Sequence, residues 1–367
     1  EFDHKLLEPI IDTFFKISIN DLSSQNDDSE LKLSILNLWY LIFKKEKNRR
    51  LIQSTFHSVF EGIEILIKII ENQKIKEMRF KTEWNESIAC FKCLKYYSKI
   101  KNSLTTEFFM NYLNENDFNE ISLLLTEIII TSSSHDFVTE NIPDFLKLIN
   151  QGFQIISQEG IESDLIVFIQ FSSIKCLRKM VKYFPECLSL FFPFVELIIP
   201  FIENEETLAL EALSTLSLIF CISPYQEKEK YISLIFENSK NLPPFISSHS
   251  IDSLLPIIST IEESDFFVEA VPTILNLISE VKDETCSDSL LYFLQRFVLC
   301  AGESILPFIQ TIISMLLQLI VENHSIVSIL AVGSISSVSP AELIEPFIDD
   351  IFSILSEIIL NDGMDDK

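Results

Sequence analysis

Residues 303–317 have the sequence ESILPFIQTIISMLL, an apolar segment with one proline near its start. A similar segment, ELIEPFIDDIF, follows at residues 342–352. Both contain Pro-Phe-Ile, and Pro307 and Pro346 are 39 residues apart. Apolar residues at spacings of three and four predict helices. A period near 40 residues, which is not rigid along the chain, indicates a repeated supersecondary unit.

Other predicted helix starts have the same period. Residues 223–226 (SPYQ) and 339–342 (SPAE) each contain Ser, then Pro, then Gln or Glu at the third position after Ser. In this pattern Ser is expected to cap free N–H groups, Pro to occupy the first helical position and the Gln or Glu to close a capping box. The two segments are 116 residues apart, which is three repeat units. Further prolines early in apolar segments are Pro143, Pro193 and Pro272.

The periodicity predicts pairs of helices joined by short polar segments. We predict first helices at 137–157, 187–202, 225–238, 265–281, 303–321 and 341–360, and second helices at 161–183, 205–222, 247–262, 285–301 and 324–337. The less regular N-terminal third has helices predicted at 5–19, 31–46, 50–73, 84–99, 104–114 and 117–132. The fold class is therefore all-α, a right-handed α-solenoid of stacked antiparallel helix pairs, with irregular repeats over 1–136 and regular ones over 137–367.

The composition excludes several functional classes. Only six glycines occur in 367 residues, and phosphate-binding loops and tight hairpin turns need glycine. The formal net charge of −26 argues against nucleic acid as the main ligand, because a polyanion would be repelled. The sequence contains no nucleophile elbow, HExxH motif or phosphate loop. We therefore predict no enzyme activity, no catalytic residue and no cofactor.

The cysteines give a prediction about the redox state and the compartment. Seven cysteines lie in apolar segments, as is typical of reduced, buried thiols in an intracellular protein. Cys90 and Cys93 form a CxxC without a second pair, which we interpret as two neighbours on a helix, so no metal site is predicted. The sequence as given begins with neither a secretory leader nor Met, and we expect a fragment of a longer chain.

The charge is distributed unevenly along the chain. Residues 44–101 contain 14 Lys and Arg against 7 acids, whereas residues 183–367 contain 6 against 28. The acidic half is expected to attract basic partners. A basic run at 44–50, KKEKNRR, is interpreted as a solvated loop, with contact to nucleic acid or to an acidic partner as the alternatives.

Carboxylates recur near the starts of the predicted second helices. The candidate partner-binding residues are Glu205, Glu206, Glu211, Asp283, Glu284 and Asp288. One interpretation is an acidic ladder for Lys- and Arg-rich segments. The alternative is that these side chains only complement the positive ends of the helix dipoles, an effect worth about 0.3–1 kcal/mol each.

A membrane hairpin is a structural alternative for part of the chain. Residues 304–321 and 325–341 contain no Asp, Glu, Lys or Arg. Gln310, Ser314 and Gln318 nevertheless form a polar stripe on the first of these helices, which would be unfavourable in lipid and fits the wet edge of a stacked array. We therefore expect no membrane insertion.

Helix pairs of about 40 residues with a proline in the first helix resemble HEAT repeats. Residues 303–317 and 342–352 match the first-helix pattern of that family, and residues 209–216 (ALEALSTL) match its second. The Asp of the usual turn is inconsistent, and the Val-Arg pair that commonly opens the second helix is absent. Within the HEAT and armadillo-like proteins, the acidic charge and irregular repeats are similar to those of importin-β-type nuclear transport receptors, the karyopherins.

This resemblance implies a protein-binding superhelix in the cytoplasm and nucleus. The second helices would line an acidic concave surface that grips basic cargo or a Ran-like small GTPase, and hydrophobic slots between first helices would take Phe-Gly motifs of pore proteins. A non-transport HEAT scaffold, such as a phosphatase regulatory subunit or an assembly platform, is the alternative function. An array that binds tubulin or nucleic acid is a third hypothesis, which the acidic C-terminal half disfavours.

Overall fold

The described residues are helical, as the spacing of the apolar side chains predicts. A computed structural model describes residues 4–23, 29–44, 59–72, 85–100, 102–155, 163–204, 206–239, 241–262, 264–323 and 325–362. These ranges contain helices, turns and irregular segments but no strand. Most predicted helices are found at their expected positions within the described residues. The helix predicted at 50–73 is described only from Val59, and a turn divides the one predicted at 247–262. In place of the one predicted at 187–202 there is a series of short 3-10 and α segments.

The chain divides into two units, and the first comprises Glu1–Glu186. Its described helices are α1 (His4–Ser23), α2 (Ser29–Lys44), α3 (Val59–Asn72), α4 (Glu86–Ser98), α5 (Asn102–Glu115), α6 (Glu120–Ser132), α7 (His135–Gln154) and α8 (Ser163–Tyr183). They pair in order, α1 with α2 up to α7 with α8. The second helices also pack in series, α2 on α4, α4 on α6 and α6 on α8. Each pair therefore buries its apolar side chains against the next pair, as in repeat proteins.

The second unit comprises Cys187–Lys367. Its helices are α9 (Leu188–Phe191), α10 (Val195–Ile198), α11 (Glu206–Cys221), α12 (Tyr225–Ser239), α13 (Pro244–Asp252), α14 (Leu255–Ile258), α15 (Ser264–Glu280), α16 (Glu284–Ala301), α17 (Ile309–Asn323), α18 (Ile326–Val338), α19 (Ala341–Ile344) and α20 (Ile348–Asp362). The second helices again pack in series, α11 on α13, α13 on α16 and α16 on α18. Among the first helices, α12 contacts α15 and α17 contacts α20. The boundary that we predict at residue 136 separates irregular from regular repeats, and it stays a prediction.

The prolines that mark the repeat lie within first helices. Pro143 and Pro272 lie inside the continuous helices α7 and α15. Pro307 instead lies in the 3-10 segment Gly302–Phe308, and Pro346 lies in a shorter 3-10 turn. Because proline has no N–H and clashes with the preceding turn of an α-helix, a local 3-10 segment accommodates it.

The predicted role of the serines in the two Ser-Pro segments is wrong. Ser223 Oγ donates to Ile219 O at 2.7 Å, and Ser339 Oγ donates to Ile335 O at 2.7 Å. Both hydroxyls therefore bind a carbonyl of the preceding helix, a competing bond that serine makes readily. Pro340 takes the N-cap position of α19 without a side-chain hydrogen bond, so Pro lies one position earlier than predicted.

All seven cysteines are free thiols, as predicted, although only four are fully buried. Three of the buried ones link neighbouring second helices. The thiol-to-carbonyl bonds are Cys93 Sγ to Leu36 O at 3.4 Å, Cys176 Sγ to Leu123 O at 3.2 Å and Cys286 Sγ to Pro244 O at 3.0 Å. A small side chain at these contacts allows close packing while its S–H has an acceptor.

Two helical stretches, Pro185–Glu203 and Glu284–Glu322, are long and apolar enough to cross a membrane by length and composition alone. The first consists of alternating 3-10 and short α segments. The second is divided at Gly302, which has a φ of 55°. Within it, Ile312 and Leu316 are completely buried in unit 2. Apolar helices of this kind are equally typical of a protein core.

Gly152 allows α7 and α8 to approach closely. A Cβ at this position would lie 2.0 Å from Ser173 Oγ, which a hydrogen bond to Ile169 O holds at 2.9 Å. We expect Gly152→Ala to lower the free energy of unfolding by about 1–3 kcal/mol, measured by chemical denaturation. The control is Gly333→Ala, since no atom lies within 4 Å of its added Cβ. Equal stability of the two variants would contradict this reading of the contact.

Candidate protein-binding surfaces

The predicted acidic residues lie on two separate second helices of unit 2. The described ones are Glu206 and Glu211 on α11, Asp283 just before α16, and Glu284 and Asp288 on α16, while Glu205 lies outside the described residues. Helix α13 packs against both α11 and α16. The structure therefore brings the three acids at α16 together but separates them from the two on α11.

Asp283 has a structural role. Its Oδ1 accepts a hydrogen bond from Cys286 N at 3.0 Å, which makes it the N-cap of α16. Glu284 is exposed in the first turn, where it complements the positive end of the helix dipole. Its role as the N-cap therefore explains the Asp283 carboxylate, and no binding partner is needed to account for it.

Partly buried carboxylates occur on both α13 and α16, which pack against each other. Burial, and then repulsion from Glu284 one turn away, raises the pKa of Asp288 above its ordinary value. Burial also raises the pKa of Asp252 on α13, although a hydrogen bond with Ser289 of α16 opposes the shift. Both carboxylates are thus less stable as anions than exposed ones, and a cation placed beside them would be favoured.

Asp252 is absent from the predicted set because it lies at the end of its helix, not at the start. A signal exists in the sequence, since Ser248 and Asp252 are four residues apart and share one helix face. That face meets α16, where Ser248 Oγ lies 2.7 Å from Ser289 Oγ. The spacing of Ser248 and Asp252 does not by itself show that this helix face packs against α16.

A second kind of surface is a cleft between successive first helices. The α12–α15 cleft has a volume of about 620 Å³ and includes the buried side chains of Ile232, Phe236 and Leu277. Glutamates from both helices line it as well: Glu229, Glu237, Glu269 and Glu280. A volume of this size holds one aromatic or aliphatic side chain of a peptide, and the exposed lining is more polar than apolar.

Unit 1 contains a corresponding cleft between its own first helices, α3 and α5. The α3–α5 cleft has a volume of about 430 Å³ and includes Ile67, Phe108 and Tyr112. Tyr112 donates a hydrogen bond to Glu71 Oε1 at 2.7 Å across the cleft. Clefts of the same architectural type therefore occur in both units.

The described residues contain no group of three or more His, Cys, Asp and Glu side chains that could hold a metal ion. Cys90 and Cys93 are buried, and burial raises the pKa of both thiols. Thiols whose pKa is raised are poor metal ligands and poor nucleophiles.

Stacked helix pairs with clefts between successive first helices define an all-α HEAT-repeat protein, and the predicted solenoid class is confirmed. The fold is importin-β-like. A crystal structure of importin beta superposes with a TM-score of 0.72 and 14% identity, covering 94% of this chain and 45% of that one. At such identity, the likeness concerns the fold.

Two other solved structures show the same likeness. In the Kap95:Nup1 complex, the match covers 97% of this chain and 50% of that one, with a TM-score of 0.66 and 14% identity. For Kap121p bound to RanGTP, it covers 96% of this chain and 36% of that one, with a TM-score of 0.61 and 11% identity. The chain thus spans half or less of these relatives. No family model and no curated protein matches the sequence.

Proposed function

We propose that this chain is part of a non-enzymatic nuclear transport receptor that works in the cytoplasm and nucleus. In this proposal, the acidic second helices of unit 2 bind a Lys- and Arg-rich segment of a cargo protein or a small GTPase. The clefts between first helices bind Phe-Gly motifs of pore proteins. Similarity to karyopherin structures that contain Nup1 or RanGTP supports the class of partner.

The observation that carries the proposal is that the packed helices α13 and α16 each carry a partly buried carboxylate, Asp252 and Asp288. Asp252 and Asp288 both have a raised pKa, because burial removes water that would stabilise the anion. A guanidinium or ammonium group from a partner would replace the missing stabilisation. A partly buried, charge-assisted contact of this kind is stronger than one at an exposed rim.

The proposal predicts that neutralising Asp252 and Asp288 weakens the binding of a basic peptide. We expect Asp252→Asn with Asp288→Asn to reduce the affinity for a labelled twelve-residue Lys/Arg peptide at least tenfold, a loss of about 1.4 kcal/mol. The measurement is fluorescence anisotropy at low ionic strength. The matched control is Asp349→Asn with Asp350→Asn, which removes the same charge from exposed positions on α20.

The carboxyls of Asp252 and Asp288 also make the affinity for the basic peptide depend on pH, with a definite sign. A bound cation lowers the raised pKa values of the two carboxyls, so peptide binding releases protons and the affinity falls as the pH falls through those values. An equal loss of affinity in the two double variants would contradict a specific role for Asp252 and Asp288. Absence of saturable binding to basic peptides, to a GTP-loaded small GTPase and to Phe-Gly repeats would remove the transport proposal altogether.

A further inference from the structure

The second helices of unit 1 carry the opposite charge to those of unit 2. Their acidic residues lie in the first turn, with one exception, Glu127 in the middle of α6. Apart from Lys32, their cations lie at the end of α2, from the middle of α4 to the residue after it, and in the C-terminal half of α8. We call these cations the lysine surface: Lys44, Lys92, Lys95, Lys99, Lys175, Arg178, Lys179 and Lys182.

Glu127 is the centre of this surface. Its side chain is only 4% exposed, and its oxygens lie 3.0 Å from Lys175 Nζ and 3.6 Å from Lys95 Nζ. Lysines from α4 and α8 therefore converge above α6, which has no cation of its own. Lys175 also lies over the ring of Phe91 on α4, at 6.0 Å from its centroid.

In the described structure the single negative charge of Glu127 faces three lysines, Lys95, Lys175 and Lys179. Lys179 lies within electrostatic reach of Glu127, Lys95, Lys175 and Arg178. Burial lowers the pKa of Lys179, and repulsion from the other cations adds to this effect against the opposing attraction of Glu127. A further anion at this position would therefore be stabilised.

The surface continues across α4 onto α2. Tyr96 on α4 and Tyr40 on α2 pack edge to face, with ring centroids 5.6 Å apart. Lys99 lies 5.6 Å from the centroid of Tyr96, and Lys44 lies 5.2 Å from that of Tyr40. The cations are thus held in a row along the C-terminal halves of adjacent helices.

We propose that the lysine surface binds an extended, Asp- and Glu-rich segment of a partner protein. Charge complementarity identifies the occupant, because in the described structure the partly buried Lys95, Lys175 and Lys179 all face the one carboxylate of Glu127. The proposal is independent of the basic-segment site, since it concerns other residues, another unit and the opposite charge. The chain would then hold acidic and basic segments at separate places.

Two simpler explanations account for less. Lysines complement a helix dipole only in the last turn, whereas Lys175 and Lys92 lie more than a turn before the ends of α8 and α4. Nucleic acid is disfavoured because single-stranded bases bind by stacking on open aromatic faces. The lysines over Tyr40 and Tyr96 occupy ring faces on which bases would stack.

The test measures binding of a labelled dodeca-glutamate peptide by fluorescence anisotropy at low ionic strength. We expect saturable binding to the wild-type chain and at least tenfold weaker binding to the Lys92→Gln, Lys179→Gln double variant. Neither of these lysines is paired with Glu127 at salt-bridge distance in the described structure. The matched control is Lys68→Gln with Lys147→Gln, which removes two exposed lysines from the first helices α3 and α7 and should change the affinity less than twofold.

A second measurement does not depend on folding of the variants. Bound dodeca-glutamate should slow the acetylation of Lys92 and Lys179 in the wild-type chain at least threefold and leave Lys68 and Lys147 unchanged. Absence of peptide binding, or uniform protection of all four lysines, would overturn the proposal. Tighter binding of a twelve-residue oligothymidylate than of the peptide would also overturn it and assign the surface to nucleic acid.

Discussion

Replacing Trp39 by alanine is expected to lower the free energy of unfolding of unit 1 by about 3–5 kcal/mol. Trp39 is completely buried, and its indole N–H donates to Ser18 Oγ at 2.9 Å. The ring packs edge to face on Phe15 at 5.1 Å and on Phe43 at 6.0 Å. The substitution therefore leaves a large cavity and removes one of the two hydrogen bonds of the buried Ser18 hydroxyl, which also donates to Phe15 O.

The effect should extend across the contacts of Trp39 and not much further. A Cβ on Gly62 of α3 would lie 3.0 Å from the Trp39 ring, so this side chain contacts the next repeat as well as α1. In a stacked array each repeat is stabilised by its neighbours, and loss of such a contact uncouples the end of the array. Hydrogen exchange in α1, α2 and α3 should accelerate more than exchange in α7 and α8.

Leu41→Ala provides the matched control for this prediction. Leu41 lies on the same helix but is 52% exposed, so its truncation should change the stability by less than about 0.5 kcal/mol. The measurement is chemical denaturation followed by circular dichroism, with hydrogen exchange for the location of the effect. A loss below about 1 kcal/mol in the Trp39 variant would contradict the packing described for this core.

The helix pairs follow from the sequence because burial imposes the same spacing in every repeat. The separation of Pro307 and Pro346 indicates the period before any contact is known. The detailed hydrogen bonds are less predictable, as Ser223 shows. Its hydroxyl can donate to a carbonyl of the preceding helix or accept from an N–H of the following helix. Either bond gives the hydroxyl a partner, and the structure has the first.

The candidate surfaces are predictable only in part. The acidic bias of unit 2 is a property of composition, and Glu284 and Asp288 share a helix face by their spacing. Asp252 reaches Ser289 of α16 only because α13 packs on α16, a contact that no local pattern indicates. Likewise the excess of Lys and Arg over 44–101 predicts a basic region, but Lys175 and Lys179 come from α8, far along the chain.

Introducing tryptophan at Ala270 is expected to remove one binding site for Phe-Gly peptides. Ala270 lies in the α12–α15 cleft beside Phe236, Phe266 and Leu277, where a phenylalanine ring of the peptide would lie. Burial of one such ring contributes about 1.5–3 kcal/mol, and an indole that occupies the same space excludes it. The affinity of this cleft should therefore fall at least tenfold.

The position of Ala270 makes the variant informative about binding and not about folding. Ala270 is half-buried and lines an open cleft, so the larger side chain has room without displacing core residues. Titration calorimetry should show one fewer bound peptide per chain, with the α3–α5 cleft still occupied. The melting temperature of the variant should remain within a few degrees of the wild-type value.

Val268→Trp is the matched control, because it places the same side chain on the same helix outside the cleft. Val268 is 39% exposed and is not among the residues that line the α12–α15 cleft. Its variant should bind as many peptides as the wild-type chain. If Ala270→Trp also binds the full number of peptides, Phe-Gly motifs do not bind between α12 and α15. If both variants bind fewer peptides, the loss arises from the added surface hydrophobicity and not from the cleft.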